Sequence, residues 1–199
     1  MKPKQCPIEQ EYKQAALAEL YSLAEQKVIE LYFGDESGFC QVPVVARAWQ
    51  FPDEEIRITP ERGKRLNVFG FLNQANESKM WTSEKAITAQ FVVDAVEEWV
   101  AEKLSAPRVL VLDNARIHRS RLLQSKIAEW EAKNLYVFFL PAYSPHLNLI
   151  ETLWRQMKYF WLKAEDYVSF EKLTEAVKKI LSEIGNEYKI KFEDRVFTK

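Results

Sequence analysis

With 199 residues and 47% hydrophobic side chains, the chain can bury one sizeable core, most simply as a single domain. Six tryptophans, eight tyrosines and twelve phenylalanines exclude a disordered chain, and a formal charge of −1 gives no overall basic field, although a net value can hide a local basic face. Cys6 and Cys40 are too few for a disulfide framework or a zinc site, no apolar run has the length of a membrane span, and no signal-peptide core follows Met1–Gln5. The expected location is the cytoplasm.

Residues Ile8 to Gln26 read as a helix rich in Ala, Glu, Leu and Gln, with Tyr12, Ala16, Leu20 and Leu23 on its packing stripe. Val28 to Phe33 is an apolar, β-prone run that ends in Asp35, with Gly34 and Gly38 permitting close backbone approach. Cys40 to Phe51 and Arg65 to Leu72 read as two more strands, giving an antiparallel meander. Lys64 and Arg65 suit either phosphate contact or a charged strand edge. From Thr88 to Leu104, the pairs Phe91/Val92, Ala95/Val96 and Trp99/Val100 recur at helical spacing.

Pro107 then starts a strand whose core, Val109-Leu110-Val111-Leu112, has the composition of a strand buried on both faces. Asp113 and Asn114 close it, at the sheet edge where ligands and metals collect in open α/β folds. Taken alone, the pair could equally turn the chain into the next helix. That helix is expected over Ile117 to Lys133, with Leu122, Leu123, Ile127 and Trp130 inward. Arg116, Arg119 and Arg121 cluster at its start, where positive charge opposes the helix dipole, so they face phosphate or simply solvent. Leu135 to Leu140 is the last strand. A proline-punctuated loop leads to a helix with Glu151 in its first turn and Ile150, Leu153, Trp154, Met157 and Trp161 on its buried face. Arg155 and Lys158 follow Glu151 at helical spacing, as an ion-pair row or as a DNA-facing surface. Ser169 caps a final helix carrying Phe170, Leu173, Val177, Ile180, Leu181 and Ile184, which Gly185 stops; its stripe is core or a dimer seam, with core preferred. Residues 186–199 receive no assignment.

If the strands ending at Asp35 and Asp113 are parallel neighbours, their carboxylates lie side by side, and a helix packed on the sheet can bring Glu151 to the same point. Three clustered carboxylates repel one another and call for a compensating cation. Oxygen-only ligation suits Mg2+ or Mn2+. Both histidines, His118 and His146, sit near these stretches; His118 could orient a ligand or phosphate, or be a surface residue. No P-loop or dinucleotide glycine pattern is present.

The succession Asp-Glu-Ser-Gly-Phe at 35–39, Leu-Asp-Asn-Ala-x-x-His at 112–118 and Tyr-Ser-Pro-x-Leu-Asn-x-Ile-Glu-x-x-Trp at 143–154 resembles the DDE transposases of the mariner superfamily, particularly its bacterial insertion-sequence branch. The resemblance runs from about Val28 to Trp161 and takes in Gly63–Gly70. It departs at Leu149, where the family usually has proline, and at His146, where an acidic residue is common. It implies an α/β, ribonuclease H-like fold, with a mixed five-stranded sheet flanked by helices. It makes Asp35, Asp113 and Glu151 the catalytic, metal-binding triad, holding two Mg2+ ions that Mn2+ can replace. Asn114 and His118 then stand as accessory residues, and Arg116, Arg119, Arg121, Arg155, Lys158, Lys64 and Arg65 as DNA contacts.

The implied activity is metal-dependent DNA cleavage and strand transfer in cut-and-paste transposition. Its partners are transposon ends and target DNA, with TA a candidate target and a homodimer compatible. The alternative is a domesticated, inactive, transposase-derived DNA-binding or scaffold protein. A receiver- or phosphatase-like doubly wound domain would need acids on successive parallel strands, against the expected meander. Residues 1–26 are expected as a helix leading into a catalytic domain over 27–199. The stretch before Asp35 is too short for helix-turn-helix modules, each of about three helices. The chain is therefore expected to be the catalytic part of a split, truncated or frameshift-produced transposase, with a separate N-terminal helix-turn-helix part, bacterial and nucleoid-associated when on DNA.

Overall fold

The structure, a computed structural model, describes residues 7–43, 63–101 and 104–192. Five strands form one mixed sheet: β1 (Glu30–Phe39), β2 (Leu66–Leu72), β3 (Ser78–Ser83), β4 (Arg108–Leu112) and β5 (Leu135–Phe139), in the spatial order β3-β2-β1-β4-β5. The β1–β2 and β2–β3 pairs are antiparallel; β1–β4 and β4–β5 are parallel. The meander is therefore real but shifted along the chain. Its third strand is β3, which the sequence reading missed, and residues 40–43 are not strand. The remainder of the expected Cys40–Phe51 strand lies outside the described residues. Leu66–Leu72 falls where a strand was expected, because its apolar residues bury on both faces.

Side-chain alternation along the strands divides the core in two. Leu31, Phe33, Phe39, Val109 and Val111 face a layer built from α1 (Pro7–Glu25), α4 (Ile150–Gln156) and α5 (Phe170–Ser182). Tyr32, Phe71, Leu110 and Leu112 face α2 (Ala89–Trp99) and α3 (Arg121–Glu131). Gly34 belongs to the second face: a β-carbon there would come within 2.8 Å of Leu112 and 3.0 Å of Phe71, so only glycine fits. The stripe expected on α1 is displaced. Leu17 and Tyr21 are buried against β1, with Leu20 beside them, whereas Tyr12 is exposed. Its spacing with Ala16, Leu20 and Leu23 made Tyr12 look inward, but apolar spacing alone does not fix which side of a mildly amphipathic helix meets the sheet.

Helix α2 is capped by Thr88, whose hydroxyl accepts from the N–H of Phe91, and ends earlier than its apolar pattern suggests. Helix α3 starts at Arg121 rather than Ile117, because Ser120 takes the cap by accepting from Leu123. Residues 115–119 are thereby left as a turn between β4 and α3, and that turn carries His118. Glu151 stands in the first turn of α4, which continues into a π-helical turn, Met157–Trp161. Leu149 precedes α4 at φ −59°, the angle proline would impose, so leucine here adopts what the family's usual residue pre-sets. Ser169 caps α5 as expected, and the α5 stripe is core. No helix among the described residues is long and apolar enough to cross a membrane.

Candidate active site

Asp35 is the sixth residue of β1, not its end: the strand continues to Phe39 along β2, while its pairing with β4 stops at Phe33 opposite Val111. Carrying that parallel register on by two residues sets Asp35 level with Asp113, just past the end of β4. The two acids expected side by side are thus on adjacent parallel strands. On the α4 face, Trp154 donates its indole N–H to Oδ2 of Asp35 at 3.1 Å. Trp154 lies one turn after Glu151, so the contact that holds Asp35 also fixes the angle at which α4 presents Glu151. Asn148, buried in the loop before α4, donates to the carbonyl of Gly34 at 3.2 Å and pins that loop to β1.

Asp113 is held differently. Its Oδ1 accepts from the backbone N–H of Ala115 at 2.9 Å and from His118 Nδ1 at 2.6 Å. His118 is wholly buried, so the surface-histidine alternative is excluded. Its Nε2 faces Oε2 of Glu36 at 3.4 Å. Adjacent residues of a strand point to opposite faces. Asp35 accordingly meets α4, and Glu36 meets the turn before α3. Asn114 donates to the carbonyl of Leu140 at 2.7 Å, tying the ends of β4 and β5 together.

The electrostatics follow from this crowding. Burial, reinforced by the carboxylates of Glu36, Glu151 and Asp113, pushes Asp35 up to about 8. Glu36 is raised by burial, with Asp113 adding to it and His118 opposing. Glu151 is raised by desolvation, with Asp113 and Glu36 adding and Lys158 opposing. Asp113 alone goes down: burial would raise it, but the hydrogen bonds from His118 and Ala115 and the attraction of His118 outweigh that. Burial, then Arg65, depresses Lys158.

Two clefts meet at Glu151. One, of about 490 Å³, is lined by Asp113, Asn114, Ala142, Tyr143, Asn148 and Glu151. The other, of about 670 Å³, is lined by His146, Glu151, Trp154, Arg155, Lys158 and Tyr159. Arg155 and Lys158 therefore share a cleft with Glu151, and Lys158 also lies 5.3 Å from the Phe39 ring centre. Arg65 crosses β1 over Gly38, where any side chain would collide with its guanidinium. Lys64 is drawn to α5, 3.4 Å from Glu171. Arg116 and Arg121 are exposed, and Arg119 stacks 4.5 Å from the Phe139 ring centre.

Among the described residues no three acidic, histidine or cysteine side chains enclose a cation as they lie. The donor set nevertheless fits a hard divalent ion. Its three carboxylates stand on β1, after β4 and on α4, and burial with acidic neighbours holds Asp35 and Glu151 above the usual carboxylate range, a cost that a cation would relieve. Sequence reasoning gave no role to Glu36 or Asn148 and read Trp154 only as core. All three stand inside the quoted motifs, as the acid after Asp35, the asparagine before Ile-Glu, and the tryptophan after Glu-x-x, and those positions were the available signal.

A family model for DDE superfamily endonucleases matches residues 30–174, most of the chain and all three acids. The chain belongs to that family. It is similar to an uncharacterized 39 kDa protein of insertion element IS630 from Shigella sonnei, 23% identical over 154 residues, which are 75% of this chain and 44% of that protein. Among solved structures it is similar to the Mos1 transposase paired-end complex with left transposon end, at TM-score 0.57 and 18% identity over 92% of this chain and 57% of that one. It is also similar to the Mos1 mariner paired end complex with Mn, at TM-score 0.55 and 17% identity over 90% of this chain and 56% of that one. The likeness establishes the ribonuclease H-like fold of this DDE-family chain, which spans less than half of its insertion-element relative and little more than half of the Mos1 chains.

Proposed function

We propose that this chain is the catalytic domain of a cut-and-paste transposase, cleaving DNA phosphodiesters and joining the freed 3′ end to target DNA. The observation that carries the reading is the convergence of Asp35, Asp113 and Glu151 from three elements at one edge of a ribonuclease H-like sheet. These three residues would hold the divalent cation, with Mg2+ the physiological choice and Mn2+ a substitute, as the Mn-containing Mos1 relative suggests. Held there, such ions would supply Lewis-acid polarisation for a phosphodiester and a lowered pKa for a water or 3′-hydroxyl.

The chain's own residues do the rest. Trp154 and the Ala115–His118 turn fix the orientation of the two aspartates before substrate arrives. Arg155 and Lys158 share a cleft with Glu151, Arg65 crosses β1 at Gly38, and Arg116, Arg119 and Arg121 are exposed past the end of β4; these would be the contacts that steer the phosphates of a duplex. Residues 27–199 form the catalytic unit, and α1 leads into it. Its substrates would be transposon ends and target DNA, with TA a candidate target, met in a bacterial cytoplasm. All three acids are retained, which speaks against a scaffold that has lost cleavage.

The test is a nicking assay on supercoiled plasmid with Mg2+, Mn2+ or chelator, together with strand transfer from a pre-cut 3′ end. Metal-dependent nicking that Asp35→Asn eliminates is the expected result. A wild-type chain that binds DNA yet shows neither reaction with either metal, with or without element-end DNA, would overturn the reading.

A further inference from the structure

His118 is fully buried in the turn between β4 and α3, against the Phe69 ring 6.1 Å away on β2. A buried imidazole without polar partners is costly, and this one has two candidates, on different elements. Asp113 is a carboxylate that can only accept, so the 2.6 Å contact makes Nδ1–H the donor. The second donor, the N–H of Ala115, reaches the same oxygen. Both hydrogen bonds converge on Oδ1, and none among the described residues reaches Oδ2. On the ring's far side, Nε2 and Oε2 of Glu36 are buried, lack hydrogen-bond partners, and face each other at 3.4 Å. The pairing of Glu36 with Phe69 of β2 fixes its backbone in the sheet, so its carboxylate approaches the ring from β1.

We propose that Glu36 and His118 are positioning residues that brace Asp113 between β1 and the β4–α3 turn, locking Oδ1 to the protein and leaving Oδ2 as the oxygen presented to the cation. The inference deepens the proposed function and rests on its metal site. The brace sets one carboxylate rotamer before the cation binds, where a free aspartate would have to be ordered at that moment. Partners that orient ligating carboxylates typically change metal affinity by about 10- to 100-fold when removed.

The test is Mn2+ titration calorimetry on the full chain, with far-UV circular dichroism confirming that each variant is folded. His118→Ala and His118→Gln should lose about 10- to 100-fold in Mn2+ affinity. His118→Asn should stay within about 3-fold of wild type, because its short amide can still donate to Oδ1. Glu36→Gln should also stay close to wild type, since its amide can pair with Nε2 without a charge, whereas Glu36→Ala should weaken binding. A purely structural histidine would make the asparagine and alanine variants equal in stability loss and leave the affinity of the folded protein unchanged; that result overturns the brace. Unchanged affinity in Glu36→Ala removes Glu36 from it. If Asp35→Asn and wild type alike fail to bind Mn2+, the metal site itself is wrong, and both readings fall together.

Discussion

Asp35 and Asp113 occupy equivalent levels on adjacent parallel strands, yet the protein treats them oppositely. Asp35 is enclosed, receives one side-chain hydrogen bond from a neutral indole, and is surrounded by other carboxylates, so it resists ionisation up to about 8. Asp113 lies at the open end of β4, receives two donors on one oxygen, and is held below the usual carboxylate range despite its own burial. The lesson is that sequence motif and strand position bring the acids together, while burial and carboxylate neighbours set the charge of Asp35 and hydrogen bonds set that of Asp113. A cation would find Asp113 already ionised and would have to supply the compensation that Asp35 lacks.

The widest effect on this contrast comes from removing either charge. Asp35→Asn, Asp113→Asn and Glu151→Gln should each lower Mg2+-dependent nicking by about 1000-fold or more while preserving shape, since the acids act as one cation site. Nicking rates and circular dichroism together check this, and a variant that keeps near wild-type nicking leaves the triad.

The metal-free protein should reveal the difference without any chemistry. Asp35 binds its proton more tightly folded than unfolded. Its contribution to stability is therefore full below the unfolded value near 3.8 and is lost as pH rises towards about 8. Asp113 has the opposite sign, stabilising above its unfolded value and losing that as pH falls through its lowered one. Between pH 5 and 8, apo protein should accordingly lose thermal stability, and Asp35→Asn should flatten that slope and raise Tm at pH 8 by roughly 2–4 °C for each kcal/mol released. Saturating Mn2+ should do the same for wild type. Melting curves in which Asp35→Asn is less stable than wild type at pH 8 would contradict the crowding account.

Much of this was legible in the sequence. The four aliphatics before Asp113, the β-prone run before Asp35 and the capped helix after Ser169 each contain their own local signal, and all three form the expected elements, although β1 runs on past Asp35 to Phe39. Strand β3 was not legible, because Ser78–Ser83 is an edge strand whose side chains are only partly buried and whose pattern is not apolar. The acids were visible as motif residues. Their partners were not, since Trp154 reads as core from its spacing and a buried histidine reads the same as an exposed one. Which carboxylate is paired depends on contacts between residues 119 positions apart, such as Trp154 with Asp35, and no local pattern encodes that.

Trp154→Phe sharpens the comparison from the Asp35 side. Phenylalanine keeps most of the packing under α4 and removes only the N–H at 3.1 Å. Losing a hydrogen bond to a buried carboxyl costs about 1–3 kcal/mol, so the neutral form of Asp35 should be favoured further. Nicking should fall by about 10-fold, within the range for lost orienting partners, and the fall should be partly relieved at higher pH. Unchanged nicking with reduced Tm would assign Trp154 to packing alone.

The smallest effect concerns the cations that flank the two acids. Arg65 crosses Gly38 on the Asp35 side and disfavours the charge of Lys158; Arg119 stands apart on the Asp113 side, stacked on Phe139. If each contacts one phosphate, Arg65→Gln and Arg119→Gln should each reduce the salt slope of DNA binding by about 1, uniformly across sequences. The pair near Asp35 should not behave additively. Removing Arg65 relieves the repulsion on Lys158, so the Arg65→Gln, Lys158→Gln double variant should deviate from the sum of its singles by about 0.5 kcal/mol or more. Arg65 and Arg119, lacking such a contact, should add within about 0.3–0.5 kcal/mol. Binding isotherms at two salt concentrations measure both cycles. Equal coupling in the two would show that the basic residues form one diffuse field, with no distinct cationic pair attached to the side of the site that most lacks positive charge.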